Sequence, residues 1–225
     1  HGAYWMEGAG GIYCENRAMD WLVSLTGMPK GAFGVFTSGG TAANLSAMVT
    51  AREVFRKQEH AKGKKGLILT SSGAHSSIKA MAKVIDVDIL LVETEDQMTG
   101  AMLQSAIDGL EPGQRERLFS VVATGGTTNA GIIDDLQGVA AVCKKEGLWF
   151  HVDAAYGGGA LVVDAVRPQF AGIEQADSVT IDPHKWLFSP YDCGAVIYRH
   201  PDLARQAHQQ DGSYLDIFRD EGARG

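Results

Sequence analysis

A lysine and an aspartate, each placed just after an apolar run, are the residues of this sequence best suited to chemistry. Lys185 follows Pro183-His184, and Asp153 ends the segment His151-Val152-Asp153. A desolvated lysine becomes an amine nucleophile that can form an imine, although its stem can also simply pack while the ammonium reaches solvent. A buried carboxylate needs a partner, either a structural arginine or a ring nitrogen that it keeps protonated. The pair could therefore address opposite ends of an aromatic cofactor.

Two further segments have features that suit an anionic, aromatic ligand. Residues 36–45 (FTSGGTAANL) run through paired glycines into a helix-forming stretch, where free N–H groups favour an anion. Thr41 would either bond a phosphate oxygen or cap the helix. His75 would stack on an aromatic ring, or be an ordinary loop residue or helix cap. Neither a Walker pattern nor Gly-x-Gly-x-x-Gly is present, so a nucleotide is not indicated.

A metal site is not expected. His151 and Asp153 have a spacing that two metal ligands could share, but no third ligand accompanies them at a suitable distance along the sequence. The three cysteines are odd in number, far apart and without Cys-x-x-Cys spacing, which favours a reducing compartment, by default the cytoplasm.

Short β-rich runs alternate with amphipathic stretches along the chain. The predicted helices are 41–58, 76–84 and 136–146, with Gly147 as a C-cap. The predicted strands are 66–71, 88–93, 118–124, 148–152, 178–182 and 194–199. This alternation predicts an α/β fold with a mostly parallel sheet and helices on both faces. In such a sheet ligands bind at the carboxyl ends of the strands, and polar clusters follow three of the predicted strands there.

Composition sets limits on the partners. The chain has 225 residues, enough for one large domain, and a net charge of −7, which gives no reason to expect nucleic acid or an anionic membrane as partner. No apolar run approaches the roughly 18 residues that span a bilayer.

The motifs taken together resemble those of the group II pyridoxal 5′-phosphate (PLP)-dependent amino-acid decarboxylases, which include aromatic-L-amino-acid, histidine and glutamate/cysteine-sulfinate decarboxylases. The resemblance covers about 9–225 and leans towards the aromatic and cysteine-sulfinate branches. It is carried, in the family's order, by TSGGTAANL, AHSS, ATGGTTNAG, HVDAAYGG and DPHKWLFSPYDCGA. The resemblance implies the large domain of a PLP-dependent transferase-like fold (fold type I). Because relatives are about twice as long, residues 1–225 are expected to be this PLP-binding domain without the family's N-terminal segment and C-terminal small domain.

The resemblance also implies a role for each matching residue. Lys185 would hold PLP as a Schiff base, Asp153 would pair with the pyridinium, and His75 would stack on the ring. The other implied contacts are Gly40 and Thr41 with the phosphate, Thr128 near the cofactor, and His184 near phosphate and substrate. Asp182 stands where aromatic decarboxylases often have asparagine, and a carboxylate there would repel phosphate unless neutralised.

The implied activity is decarboxylation of an L-amino acid to its amine and CO₂. An aldehyde synthase or an aminotransferase would use the same lysine and aspartate, and a catalytically silent PLP-binding relative is a further alternative. The substrate side chain and the choice between decarboxylase and aldehyde synthase depend on regions outside this stretch.

The family is usually homodimeric, and the large apolar groups of the opening segment would serve either a dimer contact or the core. These groups are Tyr4, Trp5, Met6, Ile12, Tyr13 and Trp21.

Overall fold

The structure, a computed structural model, describes residues 5–209 and contains a seven-stranded sheet. The strand order is β1-β7-β6-β5-β4-β2-β3, with β7 antiparallel to both of its neighbours and the remaining pairs parallel. The strands are β1 (Phe33–Thr37), β2 (Leu67–Ser71), β3 (Asp88–Val92), β4 (Leu118–Thr124), β5 (Trp149–Asp153), β6 (Ser178–Ile181) and β7 (Gly194–Tyr198).

Helices cover both faces of the sheet, and each face has its own apolar core. Because successive side chains of a strand point to opposite faces, Val122 of β4 joins the core under α2 and α3, and its neighbour Val121 joins the core under α1, α4 and α6. The helices are α1 (Trp5–Thr26), α2 (Gly40–Arg56), α3 (Ser76–Val84), α4 (Gly100–Asp108), α5 (Pro112–Arg115), α6 (Leu136–Glu146) and α7 (Pro201–Ala207). Within residues 5–209, no helix combines the length and apolar character needed to cross a bilayer.

The predicted fold is confirmed. All six predicted strands are present with each end within one residue of the prediction, and the helices at 76–84 and 136–146 have the predicted bounds. Gly147 ends α6 in the left-handed conformation, with φ of 69°. The direction of β7 was not foreseen. The connection at 182–193 contains no crossover helix, which a parallel neighbour of β6 would require.

The side chain of Asp134 stabilises the loop that follows β4 by hydrogen bonds to the backbone. One of its carboxylate oxygens accepts the Met98 N–H and the other accepts the Thr124 N–H, both at 2.7 Å. The backbone N–H of Asp134 donates in turn to the Thr124 carbonyl at 2.9 Å. These bonds hold the returning end of the 125–133 loop against the end of β4, so that the loop's polar residues lie over the carboxyl edge of the sheet.

Asp134 is expected to give the protein a pH-dependent stability. Burial raises the pKa of its carboxyl from 3.8 to about 6, against the two N–H groups that favour the ionised form. Between these values the folded protein holds a proton that the unfolded chain has released, so this contribution to stability falls as the pH rises from about 4 to about 6. The free energy of unfolding of the wild type minus that of Asp134→Asn, from urea titrations of the intact protein, should therefore decrease over this interval. A difference that is constant or increases would contradict the assignment.

Candidate functional site

A cavity of about 460 Å³ lies at the carboxyl ends of β4, β5 and β6, beside the start of α2. Its size is in the range of small-molecule sites. The structure brings every residue predicted for the site to its wall, namely Gly40, Thr41, His75, Thr128, Asp153, Asp182, His184 and Lys185. The polar clusters that follow three separate strands therefore form one site.

Asp153 ends β5 and is almost wholly buried, with 7% of its surface exposed. Its Oδ2 accepts the side-chain amide of Asn44 at 2.9 Å, and its Oδ1 accepts the Ala155 N–H at 3.1 Å. Burial raises the pKa of the Asp153 carboxyl, while those two donors and the charges of His75 and Lys185 act in the opposite direction. Each oxygen keeps a lone pair for a further donor. A cationic N–H in the cavity would therefore favour the ionised carboxylate.

Lys185 lies on the loop after β6 and also lines the cavity. Its Nζ forms an ion pair with Asp182 Oδ2 at 2.9 Å, and its side chain is 36% exposed, so the amine can be reached from the cavity. The buried carboxylate of Asp182 also lies 3.6 Å from His184 Nε2. The His184 ring is held in place because its Nδ1 accepts the Cys193 N–H at 2.9 Å. Asp182 is thus flanked by two basic groups.

The start of α2 lies on the wall of the cavity. Among the residues that the structure describes, no side chain caps this helix at Gly39, so the interpretation of Thr41 as a cap is not supported. Gly40 packs tightly, since a Cβ there would lie 2.9 Å from both the Ala155 Cβ and Asp182 Oδ2. The helix start thereby comes into direct contact with the ends of β5 and β6, and its residues Gly40 and Thr41 line the cavity.

His75 is a helix cap, one of the interpretations that the sequence left open. It is the N-cap of α3, because its Nδ1 accepts the Ser77 N–H at 3.2 Å and lies 2.8 Å from Ser77 Oγ. It also lines the cavity, as Thr128 does from the loop after β4. The cap bonds use one ring nitrogen and leave the face of the imidazole available to a ligand.

The role of Asn44 at the site was not anticipated from the sequence. Asn44 holds Asp153 from α2. The cavity wall also contains Ser38, Thr127, Tyr156 and Tyr191, which all lie in the motifs that carry the family resemblance. Asn44 is 1% exposed in a helix whose other buried residues are almost all apolar or small. A polar residue on the apolar face of a predicted amphipathic helix was the signal that could have identified it.

The donor set of this cavity fits PLP. Asp153 presents spare lone pairs to a ring N–H, the uncapped start of α2 suits a phosphate, and Lys185 presents a primary amine. The residues described include no cluster of three or more side chains that could hold a metal ion.

Comparisons with known proteins agree with this chemistry. Residues 3–222 match the conserved domain of pyridoxal-dependent decarboxylases. The chain is 33% identical to an aromatic-L-amino-acid decarboxylase of Bacillus atrophaeus over 94% of its own length and 44% of the relative's. It is 35% identical to an L-2,4-diaminobutyrate decarboxylase of Rhizobium meliloti over 92% of its length and 42% of the relative's. The chain spans less than half the length of either relative.

The fold agrees as well. The crystal structure of mouse CSAD superposes with a TM-score of 0.83 at 31% identity, over 92% of this chain and 45% of that one. The predicted PLP-dependent, fold type I architecture is thereby confirmed. The chain belongs to the pyridoxal-dependent decarboxylase family, and its cofactor is pyridoxal phosphate.

Proposed function

We propose that residues 1–225 form the PLP-binding large domain of an enzyme that decarboxylates an L-amino acid to the corresponding amine and CO₂. The observation that carries the proposal is the placement of a buried carboxylate, Asp153, and an accessible amine, Lys185, on the wall of one cavity beside a free helix start. The family match over residues 3–222 and the decarboxylase names of the relatives support it.

The proposed roles follow from the position of each group. The Lys185 Nζ would hold the cofactor covalently, and Asp153 would keep a proton on the pyridine nitrogen. The N–H groups at Gly40 and Thr41 would bind the phosphate, Thr128 would lie near the cofactor, and the His75 ring would stack on the cofactor. His184, which lines the cavity from the loop after β6, would contact phosphate and substrate.

PLP, when bound, supplies an electron sink for the electron pair that remains at Cα when CO₂ leaves. The protein's own contribution is electrostatic and geometric. Asp153 holds positive charge at the ring nitrogen, and its buried position keeps water from weakening that interaction. The cavity wall fixes the orientation of the reacting groups, which lowers the entropic cost of the reaction.

A product screen tests the proposal. The intact protein, supplied with PLP, is incubated with each natural L-amino acid while amine and CO₂ are detected together. We expect equal amounts of amine and CO₂ from at least one substrate. Aldehyde with ammonia and hydrogen peroxide would indicate an aldehyde synthase, and dependence on a keto-acid acceptor would indicate an aminotransferase. A cofactor spectrum without turnover of any amino acid would indicate a catalytically silent relative. Any of these three results would contradict the proposal.

We further propose that the protein is a cytoplasmic homodimer. Tyr13 and Trp21 of α1 are 57% and 48% exposed, which favours a contact surface over the core for these two. Tyr4 lies outside the described residues, as do the side chains of Trp5 and Met6. Sedimentation of the holoprotein should give a dimer, and a stable holo monomer would count against this assignment. Fractionation of cells should place the protein in the cytoplasmic fraction.

The Asp182→Asn substitution is expected to strengthen cofactor binding. The Asp182 carboxylate lies beside the start of α2, where the phosphate is proposed to bind, and its Oδ1 is buried with no hydrogen-bond partner among the described residues. Asparagine removes the negative charge that opposes the phosphate and the ion pair that holds Lys185. We expect the Kd for PLP to fall about 3- to 10-fold, corresponding to roughly 1 kcal/mol. Titration of the apoprotein by fluorescence measures this, and an unchanged or weaker affinity would show that Asp182 does not oppose the phosphate.

A further inference from the structure

A buried hydrogen-bonded chain runs from β5 and β6 through α2 to Asp153. Trp149 Nε1 lies 2.9 Å from Ser178 Oγ, which lies 2.8 Å from His151 Nδ1. His151 Nε2 lies 3.0 Å from Asn44 Oδ1, and Asn44 Nδ2 lies 2.9 Å from Asp153 Oδ2. None of these five residues is more than 9% exposed. We call this chain of contacts the Asp153 relay.

The sheet register creates the relay. Trp149, His151 and Asp153 occupy every second position of β5, so their side chains lie on the same face of the sheet, which is the face that α2 covers. Ser178 of β6 is the register partner of His151. Asn44 reaches the same face from α2. The polar residues of three elements therefore meet in the buried layer between the sheet and α2.

The hydrogen-bond directions in the relay depend on one another. The Trp149 indole N–H can only donate, so it occupies a lone pair of Ser178 Oγ, and the Ser178 hydroxyl proton is free to be donated to His151 Nδ1. The His151 proton then resides on Nε2 and is donated to Asn44 Oδ1. This bond orients the Asn44 amide so that its NH₂ group faces Asp153, which accepts as a carboxylate.

The opposite direction requires a different charge on Asp153. If His151 carried its proton on Nδ1, its Nε2 would accept from the Asn44 NH₂ group, and the amide oxygen would face Asp153 Oδ2. Two acceptors would then oppose each other unless Asp153 were protonated. The tautomer of His151 and the charge of Asp153 are thus coupled through Asn44.

We propose that His151 is a positioning residue that, acting through Asn44, keeps Asp153 in the ionised form that holds a proton on the cofactor's ring nitrogen. The inference rests on the proposed function, in which Asp153 has that role. His151 stays neutral, because burial lowers its pKa to about 3, against a smaller opposing effect of the Ser178 backbone. The two tautomers place the proton on different ring nitrogens, so the two directions can be distinguished by nitrogen-15 NMR.

The first test uses the intact protein without cofactor. Nitrogen-15 NMR of the histidine rings should show the His151 signal, assigned by its loss in His151→Gln, as a neutral imidazole with its proton on Nε2 from about pH 5 to about pH 8. An imidazolium, or a neutral ring with its proton on Nδ1, would overturn the proposal whatever reaction the protein catalyses. Failure of the wild type to bind PLP or to release CO₂ would contradict the proposed function, while leaving this measurement interpretable.

The second test compares His151→Gln with His151→Met, which have similar length and volume but differ in that only glutamine can donate to Asn44 Oδ1. With PLP labelled at the ring nitrogen, we expect that nitrogen to be protonated in the wild type and in the glutamine variant, and largely unprotonated in the methionine variant at the same pH. The methionine variant should also lose about 10- to 100-fold in kcat, with the glutamine variant within a few-fold of the wild type. Equal protonation in both variants would overturn the proposal.

A smaller substitution covers the case in which His151→Met does not fold, as judged by circular dichroism. Ser178→Ala removes the hydroxyl that donates to His151 Nδ1, so the proton should be shared between the two ring nitrogens, and the protonated fraction of the cofactor nitrogen should fall. Histidine and cofactor signals identical to those of the wild type would overturn the proposal.

Discussion

Replacing Lys185 by alanine is expected to abolish both turnover and the visible absorbance of lysine-bound cofactor. The Lys185 Nζ is the primary amine that the loop after β6 brings to the cavity, and alanine cannot form the covalent bond. Loss of a covalent catalytic group in other enzymes lowers kcat by about 10³-fold or more, and we expect a loss of that size. Absorbance spectra and product formation, recorded on the same purified sample, measure the two effects.

Lys79→Ala is a suitable control for this substitution. Lys79 is an exposed residue of α3 and does not line the cavity, so the same change should leave spectrum and activity within a few-fold of the wild type. A Lys185→Ala protein that retained full activity would show that this lysine is not the attachment point.

The second large effect is expected from Asp153→Asn. Asparagine keeps the volume at the end of β5, and its single amide oxygen can still accept one of the two hydrogen bonds, from Asn44 or from Ala155, so the fold and the bound cofactor should be retained. It cannot hold a proton on the ring nitrogen, and the electron sink is weakened as a result. We expect kcat to fall about 10²- to 10³-fold, as when a preorganised electrostatic contact is removed from other active sites. Steady-state kinetics with a PLP titration separate the loss of rate from any loss of cofactor.

Asp177→Asn provides the matched control. Asp177 is partly buried, with a pKa raised by burial, and its carboxylate accepts the Phe150 N–H at 2.8 Å, but it lies before β6 and does not line the cavity. The two substitutions are chemically identical. If both reduced kcat equally, the effect would be one of stability, and the electrostatic role of Asp153 would be disproved.

The strands and the main site residues could be predicted because each depends on local sequence. Near-continuous apolar runs, such as the one that became β4, identify strands covered on both faces, and the polar residues that follow them lie at one edge of a parallel sheet. Asp153 and Lys185 were found in this way. Their common cavity follows from the parallel order of β4, β5 and β6.

The remaining features depend on contacts that local sequence does not specify. His151 was considered only as a possible metal ligand, because its actual partner Ser178 is set by the register between β5 and β6. Asn44 was unrecognised because its role depends on how α2 docks on the sheet. The ion pair between Asp182 and Lys185 likewise depends on the path of the loop after β6.

The most direct test of the central claim is to identify the residue that carries the cofactor. Reduction of the intact holoprotein with borohydride adds hydride to the carbon–nitrogen double bond and makes the link permanent, after which peptide mass mapping locates it. We expect a single phosphopyridoxyl group, on the peptide that contains Lys185, and none on that peptide in Lys185→Ala. A phosphopyridoxyl group on a different lysine, or no covalently bound cofactor at all, would contradict the claim.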